Sequence, residues 1–222
     1  TNMAYEDMLT EDQLMMRAMA RDFCQSEVAS RAAETDAGRF PVELSKKMAA
    51  LGLLGMTVSA EYGGGGADEV SVALVMEEIS AVCPSLSVLF AVQNSLVCAP
   101  MSHYASDAQK DEFLRGLAKG EKLGCFALSE PSAGSDAASL KTRARREGCG
   151  WRVDGEKRFI SNSREADLCL IFAVADQGRS HKGINVFIAE TRARGFEVGH
   201  SEEKMGLGGS SACDLRFDFL EL

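Results

Sequence analysis

The sequence predicts an α+β protein of two modules, an all-helical amino-terminal bundle over residues 1–122 followed by a small antiparallel β-barrel or sandwich over residues 123–222. Three observations predict it. Up to about Lys122, apolar residues recur at three-to-four spacing, and capping residues stand where those runs begin. Beyond it the spacing falls to two and the punctuation becomes that of hairpins. No helical pattern of useful length interrupts the second half.

The elements follow in order. Thr10 and Gln13 form a capping box ahead of Leu14, Met15, Ala18, Met19 and Phe23, the apolar stripe of a first helix. Pro41 stands in the first turn of a second, whose stripe is Leu44, Met48 and Leu51 and which Gly52 ends. Gly63 to Gly66 form a turn in which no helix survives. Helices resume over Asp68–Ser80 and Pro84–His103, and the second is apolar nearly all round (Leu86, Val88, Leu89, Phe90, Val92, Leu96, Val97), as a helix inside a bundle is. Ser106 with Gln109 is another capping box, before Phe113, Leu114 and Leu117, and Gly120 closes that helix. In the second half, Asp154-Gly155 between extended arms reads as a hairpin turn. Leu168–Ala175 and Ile184–Ala189 read as buried strands. Leu215, Phe217 and Phe219 alternate with Asp214, Arg216 and Asp218 in a half-buried one.

Composition narrows the function. Lys and Arg number 24 against 33 Asp and Glu, a net charge of −9, and the basic residues do not cluster, so no nucleic-acid footprint is present. The longest uninterrupted apolar stretch, Leu168–Ala175, falls far short of the ~20 residues of a membrane-spanning helix, so no span is expected. Thr1–Thr10 lacks both a basic head and an apolar run, so no leader is expected and a reducing compartment is the default: the cytoplasm of a bacterium or, as second choice, the mitochondrial matrix. Seven cysteines without a CxxC pair read as reduced packing residues, and His103, His181 and His200 stand in no ligand spacing, so no metal site is expected.

Two glycine-rich stretches fail as nucleotide fingerprints. Gly63–Gly66 does not join a strand to a helix, and Gly206–Ser211 has serine at the third glycine position and precedes a strand. The run from Cys125 to Asp136 is different. A short strand ends at Glu130-Pro131, and small hydroxyl residues then expose backbone N–H groups in a turn, chemistry able to cradle a pyrophosphate without lysine. From the residues alone, a plain polar loop stands beside that reading.

Phe126 to Asp136, FALSEPSAGSD, resembles the flavin-binding signature of the acyl-CoA dehydrogenase family, and Lys157 to Ser163, KRFISNS, resembles its second flavin segment at a fitting separation. The Glu61-Tyr62-Gly63-Gly64 loop, the Lys204-Met205-Gly206 loop and the Leu215–Leu222 strand match as well, so the resemblance runs end to end. It implies a helical domain and a β-barrel walling a cleft that holds FAD, with a second helical domain as the third wall. It further implies that backbone groups of Phe126, Ala127 and Leu128 run along the isoalloxazine and that the Ser129 hydroxyl meets its pyrimidine edge. Gly134 and Ser135 would meet the pyrophosphate, and backbone at Ser135 the pantetheine arm of the substrate. Phe159 would pack on the ring, Ile160 beside it, and Ser161 would hydrogen-bond near the reactive nitrogen. Asn94 and Ser95 correspond to the acyl pocket. Phe159 stands where many members carry tryptophan, and Ser129 and Ser161 where many carry threonine.

The implied reaction is α,β-dehydrogenation of an acyl-CoA thioester: a base removes the α-proton, flavin N5 accepts the β-hydride, and electrons pass to an electron-transfer flavoprotein. The family's base is a glutamate of the carboxy-terminal helical domain. No residue here takes that role, neither Glu61 nor Glu130, and these 222 residues alone are expected to be inactive. The full-length protein is expected to be a homo-oligomer, dimer or tetramer. Two other readings stay open: a cousin that uses oxygen (acyl-CoA oxidase, nitroalkane oxidase or flavin monooxygenase), or a non-enzymatic flavin-binding subunit of a heteromer.

Overall fold

The computed structural model describes residues 8–176 and 181–222, so most of the Thr1–Thr10 segment lies outside the described residues. The chain divides into two compact units, one running to Glu121 and including Lys204–Ser210, the other comprising Lys122–Glu203 and Ser211–Leu222.

The first unit is helical. Helix α1 (Glu11–Phe23) opens on the capping box of Thr10 and Gln13 and runs on as a π-turn, Cys24–Val28; α2 (Ala32–Asp36) and α3 (Val42–Ala50) follow. Helix α4 (Glu69–Val82) is capped by Asp68, whose carboxylate also accepts from Gln13 Nε2 at 2.7 Å. That bond ties the starts of α1 and α4 together, and Arg17 and Arg21 reinforce it on Glu78 at 3.1 and 2.7 Å. The pinning turns inward a face of α1 that takes only Phe23 of the apolar stripe. Gln13, Ala20, Phe23 and Cys24 are buried, whereas Leu14 and Met15 are exposed. Met15, Ala18 and Met19 line an open groove with Ala50 of α3 and Leu51, its C-cap. Pro41 is the cap of α3 rather than a member of its first turn, and Leu51, expected inside, lies at its exposed end.

Helix α5 (Pro84–Ala91) continues through a π-turn, Val92–Cys98, into α6 (Ala99–Tyr104). This 21-residue run is long and apolar enough to cross a membrane by length and composition, yet 61% of its most apolar window is buried inside the protein, as suits a core helix. Leu86, Leu89, Phe90, Val92 and Val97 are buried; Leu96 is not. The Ser106 and Gln109 box opens α7 (Asp107–Gln109), which passes through a π-turn into α8 (Arg115–Ala118). The Gly63–Gly66 turn is a tight one: a Cβ on Gly64 would sit 2.2 Å from the Val58 carbonyl oxygen.

Among the described residues, the second unit is one curled, seven-stranded sheet of β1 (Gly124–Ala127), β2 (Arg143–Glu147), β3 (Gly150–Ser161), β4 (Leu168–Val174), β5 (Ile184–Glu190), β6 (Phe196–Ser201) and β7 (Ala212–Glu221). The sheet is mixed rather than wholly antiparallel. β5 covers one edge of β4 in antiparallel register, while β1 and then the start of β2 lie parallel along the other. A parallel neighbour needs a long connection, and the chain from β1 to β4 supplies one by way of the β2–β3 hairpin. Its core includes Val153, Ile160, Ile171, Leu215, Phe217 and Leu220.

Two expectations about this sheet are corrected. Asp154-Gly155 is not a hairpin turn; β3 runs straight through it, and the two-residue turn is Gly148-Cys149, between Glu147 and Gly150. Gly155 serves close approach instead, because a Cβ there would lie 2.7 Å from Thr142 Cα. Asp154 Oδ1 accepts from Phe219 N at 3.0 Å, stabilising a bulge in β7 where Val153 pairs with Leu220 but Gly155 with Phe217. The extra residue breaks the alternation, so Phe219 (φ +53°) faces outward and Leu220 takes the core position.

Candidate functional site

The signature begins on the last two residues of β1. Cys125 and Ala127 point into the core, Phe126 is half-buried with its ring 4.7 Å from that of Phe172, and Leu128 and Ser129 are half-buried. Glu130 and Ala133 then bond to each other's main chain in both directions, at 3.0 and 3.1 Å, which makes a closed turn and leaves Ser132, Gly134 and Ser135 exposed. Among the described residues, the second edge of β1 pairs with no strand. The hydroxyls of Ser129, Ser135 and Ser161 have no protein partner there either.

The second segment is built on another bulge. Lys157 pairs with Leu215 but Ile160 pairs with Cys213, so β3 carries one residue too many between them. Ile160 stays in the core at 2% exposure, and Phe159 turns outward at φ +61°, 59% exposed, with the Arg158 guanidinium 4.9 Å from its ring centre. A non-glycine residue in this region is strained, and strain of this kind concentrates at functional sites. Ser161 is half-buried. Asn162 follows at φ +62°, fully buried, with both side-chain polar atoms unpartnered among the described residues.

Three bonds bring the two segments together. Arg158 N donates to Ser129 O at 2.8 Å, Lys157 Nζ donates to Leu128 O at 3.0 Å, and the same ammonium donates to Glu130 Oε1 at 2.8 Å. The Glu130 carboxylate also accepts from the amides of Lys141 (2.6 Å) and Thr142 (3.0 Å). Burial pushes the Glu130 carboxyl up, but the bonds from Lys157, Lys141 and Thr142 outweigh it and hold it below its ordinary range. Burial pulls the Lys157 ammonium down, and Glu130 opposes that only in part. Sequence reasoning missed this pair, although period two from Val153 through Gly155 turns Lys157 toward the core and so signals it.

Phe126, Ala127, Leu128 and Ser129 are therefore beside Phe159, Ile160 and Ser161, with Gly134 and Ser135 on the turn between Glu130 and Asp136. Asn94 and Ser95 belong to the helical unit, on the π-turn. Asn94 is 1% exposed: Oδ1 accepts from Met56 N at 2.8 Å, while Nδ2 donates to Leu53 O and Phe90 O. Its amide thus fastens the 53–56 loop to the helix. Ser95 is exposed.

Six of the seven cysteines are buried and Cys149 is exposed; all are free. Burial, with Glu78 and Cys83 nearby, raises the Cys24 thiol to about 11, and burial raises Cys98 to about 12, so neither is a nucleophile at neutral pH. Among the described residues no group of three His, Cys, Asp or Glu is placed to hold a metal ion. What the β unit does offer is hydroxyls with no protein partner among the described residues, an edge of β1 with no strand paired to it and an exposed aromatic ring, a set suited to a flat, polar-edged ring bearing an anion.

The chain matches the family models described as the N-terminal domain of acyl-CoA dehydrogenase, over residues 10–121, and its middle domain, over residues 125–219. It is 40% identical over 211 residues to the short-chain specific acyl-CoA dehydrogenase of Clostridium acetobutylicum, covering 95% of this chain and 56% of that one. A solved structure from work on the electron transferring flavoprotein of Acidaminococcus fermentans and flavin-based electron bifurcation superposes with a TM-score of 0.95 at 36% identity, over 99% of this chain and 58% of that one. A glutaryl-CoA dehydrogenase from Mycobacterium smegmatis in complex with FADH2 does so with 0.91 at 32%, over 98% and 55%. The chain thus spans just over half the length of these relatives.

Proposed function

This chain belongs to the acyl-CoA dehydrogenase family, and from that premise we propose that it carries the flavin-holding part of an FAD-dependent enzyme that dehydrogenates an acyl-CoA thioester between its α and β carbons. One observation carries the reading: the bonds from Lys157 and Arg158 set the end of β1 beside the bulge that turns Phe159 outward. The residues fit FAD by the chemistry of their donors. When bound, FAD supplies the acceptor for the β-hydride.

With no strand paired to the second edge of β1, main-chain groups of Phe126 and Ala127 and the N–H of Leu128 can hydrogen-bond along a ring, and Ser129 donates at its pyrimidine edge. Gly134 and Ser135 present an N–H and a hydroxyl to the pyrophosphate from an exposed turn, without lysine. Phe159 lends an apolar face, Ile160 anchors the bulge in the core, and Ser161 donates where negative charge builds up on reduction. Ser95 remains a contact for the acyl chain, and Asn94 shapes the wall behind it. Glu130 moves no proton, because its carboxylate is already bound by an ammonium and two amides. The A. fermentans structure supports an electron-transfer flavoprotein as the acceptor. We assign residues 1–122 and 123–222 as the domains and a homo-oligomer as the assembly.

The test uses the natural full-length protein, reconstituted with FAD and titrated anaerobically with acyl-CoA thioesters of graded chain length. The flavin absorbance falls with at least one of them. Bound flavin that every thioester leaves oxidised would contradict the assignment.

A further inference from the structure

The buried pair of Glu130 and Lys157 has no part in the chemistry proposed above, yet its side chains are 2% and 0% exposed. A buried ion pair is a poor way to gain stability, since apolar residues of similar volume do as well or better. We infer that Glu130 and Lys157 are positioning residues for the flavin site: together they form a strut that sets the spacing of the two flavin segments before the cofactor arrives. The inference rests on the flavin reading.

The bond pattern is that of a strut rather than an isolated pair. The carboxylate gathers the amides of Lys141 and Thr142, and the ammonium holds the carbonyl of Leu128, the last of the three residues proposed to line the ring. Lys157 is also the last regularly paired residue of β3 before the bulge that turns Phe159 outward. A shift of its ammonium therefore moves both segments at once. The junction has no slack, because Gly155, on the same strand, packs directly on Thr142, where an added Cβ would lie 2.7 Å from the Cα. Supporting residues of this kind hold a site within about half an ångström of its working geometry.

The full-length protein, K157M and the double variant E130Q/K157M separate positioning from mere stability. K157M leaves a buried carboxylate unpaired, and the double variant removes both charges. The double variant is expected to melt above K157M in the absence of FAD and still to bind FAD at least ten-fold more weakly than the unaltered protein, with a changed visible circular dichroism of the flavin. A double variant that binds FAD as tightly as the unaltered protein overturns the strut alone; failure of the unaltered protein to bind FAD overturns the flavin reading and the strut with it. Should the variants not fold, amide exchange in the unaltered protein without FAD decides. The amides of Lys141, Thr142 and Arg158 are expected to exchange as slowly as those of β4, and fast exchange shows that no strut is preformed.

Discussion

Replacing Phe159 by glycine separates the two roles open to that residue. Relief of the φ +61° conformation stabilises the protein by ~1–2 kcal/mol. Against that, glycine costs about 0.5–1 kcal/mol through the greater freedom of the unfolded chain. The ring is 59% exposed, so with ~1.5–3 kcal/mol for burying a whole side chain, its loss removes about 1 kcal/mol of burial. The exposed contact with Arg158 adds ~0.5–1 kcal/mol. Losses exceed relief by about 1 kcal/mol, which urea unfolding of the protein without FAD resolves. A phenylalanine in a hairpin core costs ~3–5 kcal/mol when truncated. Flavin affinity moves the other way in size: covering the exposed part of the ring and stacking on it are worth roughly 2–3 kcal/mol, so FAD binding weakens by ~30-fold or more. A loss of 3 kcal/mol or more in stability with unchanged FAD affinity would refute this account of the bulge.

Other substitutions test other parts. Ser135→Ala weakens FAD binding by roughly ten-fold to a hundred-fold, the worth of a charge-assisted hydrogen bond, while changing stability by less than ~0.5 kcal/mol because the exposed hydroxyl holds no protein group; a destabilised variant with unchanged affinity removes Ser135 from the site. Gly155→Ala drives a Cβ to 2.6 Å from Thr142 Oγ1 and destabilises by ~1–3 kcal/mol in thermal or urea unfolding, where a neutral outcome would restore Asp154-Gly155 as an open turn. The acid limb of stability follows Glu130, whose folded carboxyl lies below its ordinary 4.5. A depressed carboxyl contributes stability that is fully present above the unfolded value and is lost as pH falls through the folded one. Unfolding midpoints therefore fall below pH 4.5, and fall less steeply in Glu130→Gln; equal slopes in the two proteins would show that Glu130 plays no part.

Much of the fold is legible in the sequence because its signals are local. Both capping boxes form where Thr10 with Gln13 and Ser106 with Gln109 place them, since a cap needs only residues three apart. Less legible is what depends on a distant partner. Which face of α1 is buried is decided by Asp68 and Glu78, more than fifty positions away, and the apolar stripe through Leu14 and Met15 lost to that pinning. Asp154-Gly155 carries the composition of a turn for other reasons: the aspartate holds a bulge in β7, and the glycine lets Thr142 approach. The Phe217 to Phe219 alternation fails for the same bulge. Of the site, the signature loop and Phe159 could be found by resemblance, but the outward turn of Phe159 depends on a register shift between β3 and β7 that no period reveals. Asn94 looks like a free amide in sequence and is spent on three main-chain groups in the fold.

The central claim is that FAD lies against residues 126–135 and 159–161. Amide hydrogen exchange of the protein, measured residue by residue with and without saturating FAD, tests it most directly. Added protection concentrated at Phe126–Ser129, at Gly134 and Ser135, and at Phe159–Ser161 is the predicted result; FAD binding that protects other segments and leaves these unchanged would contradict it.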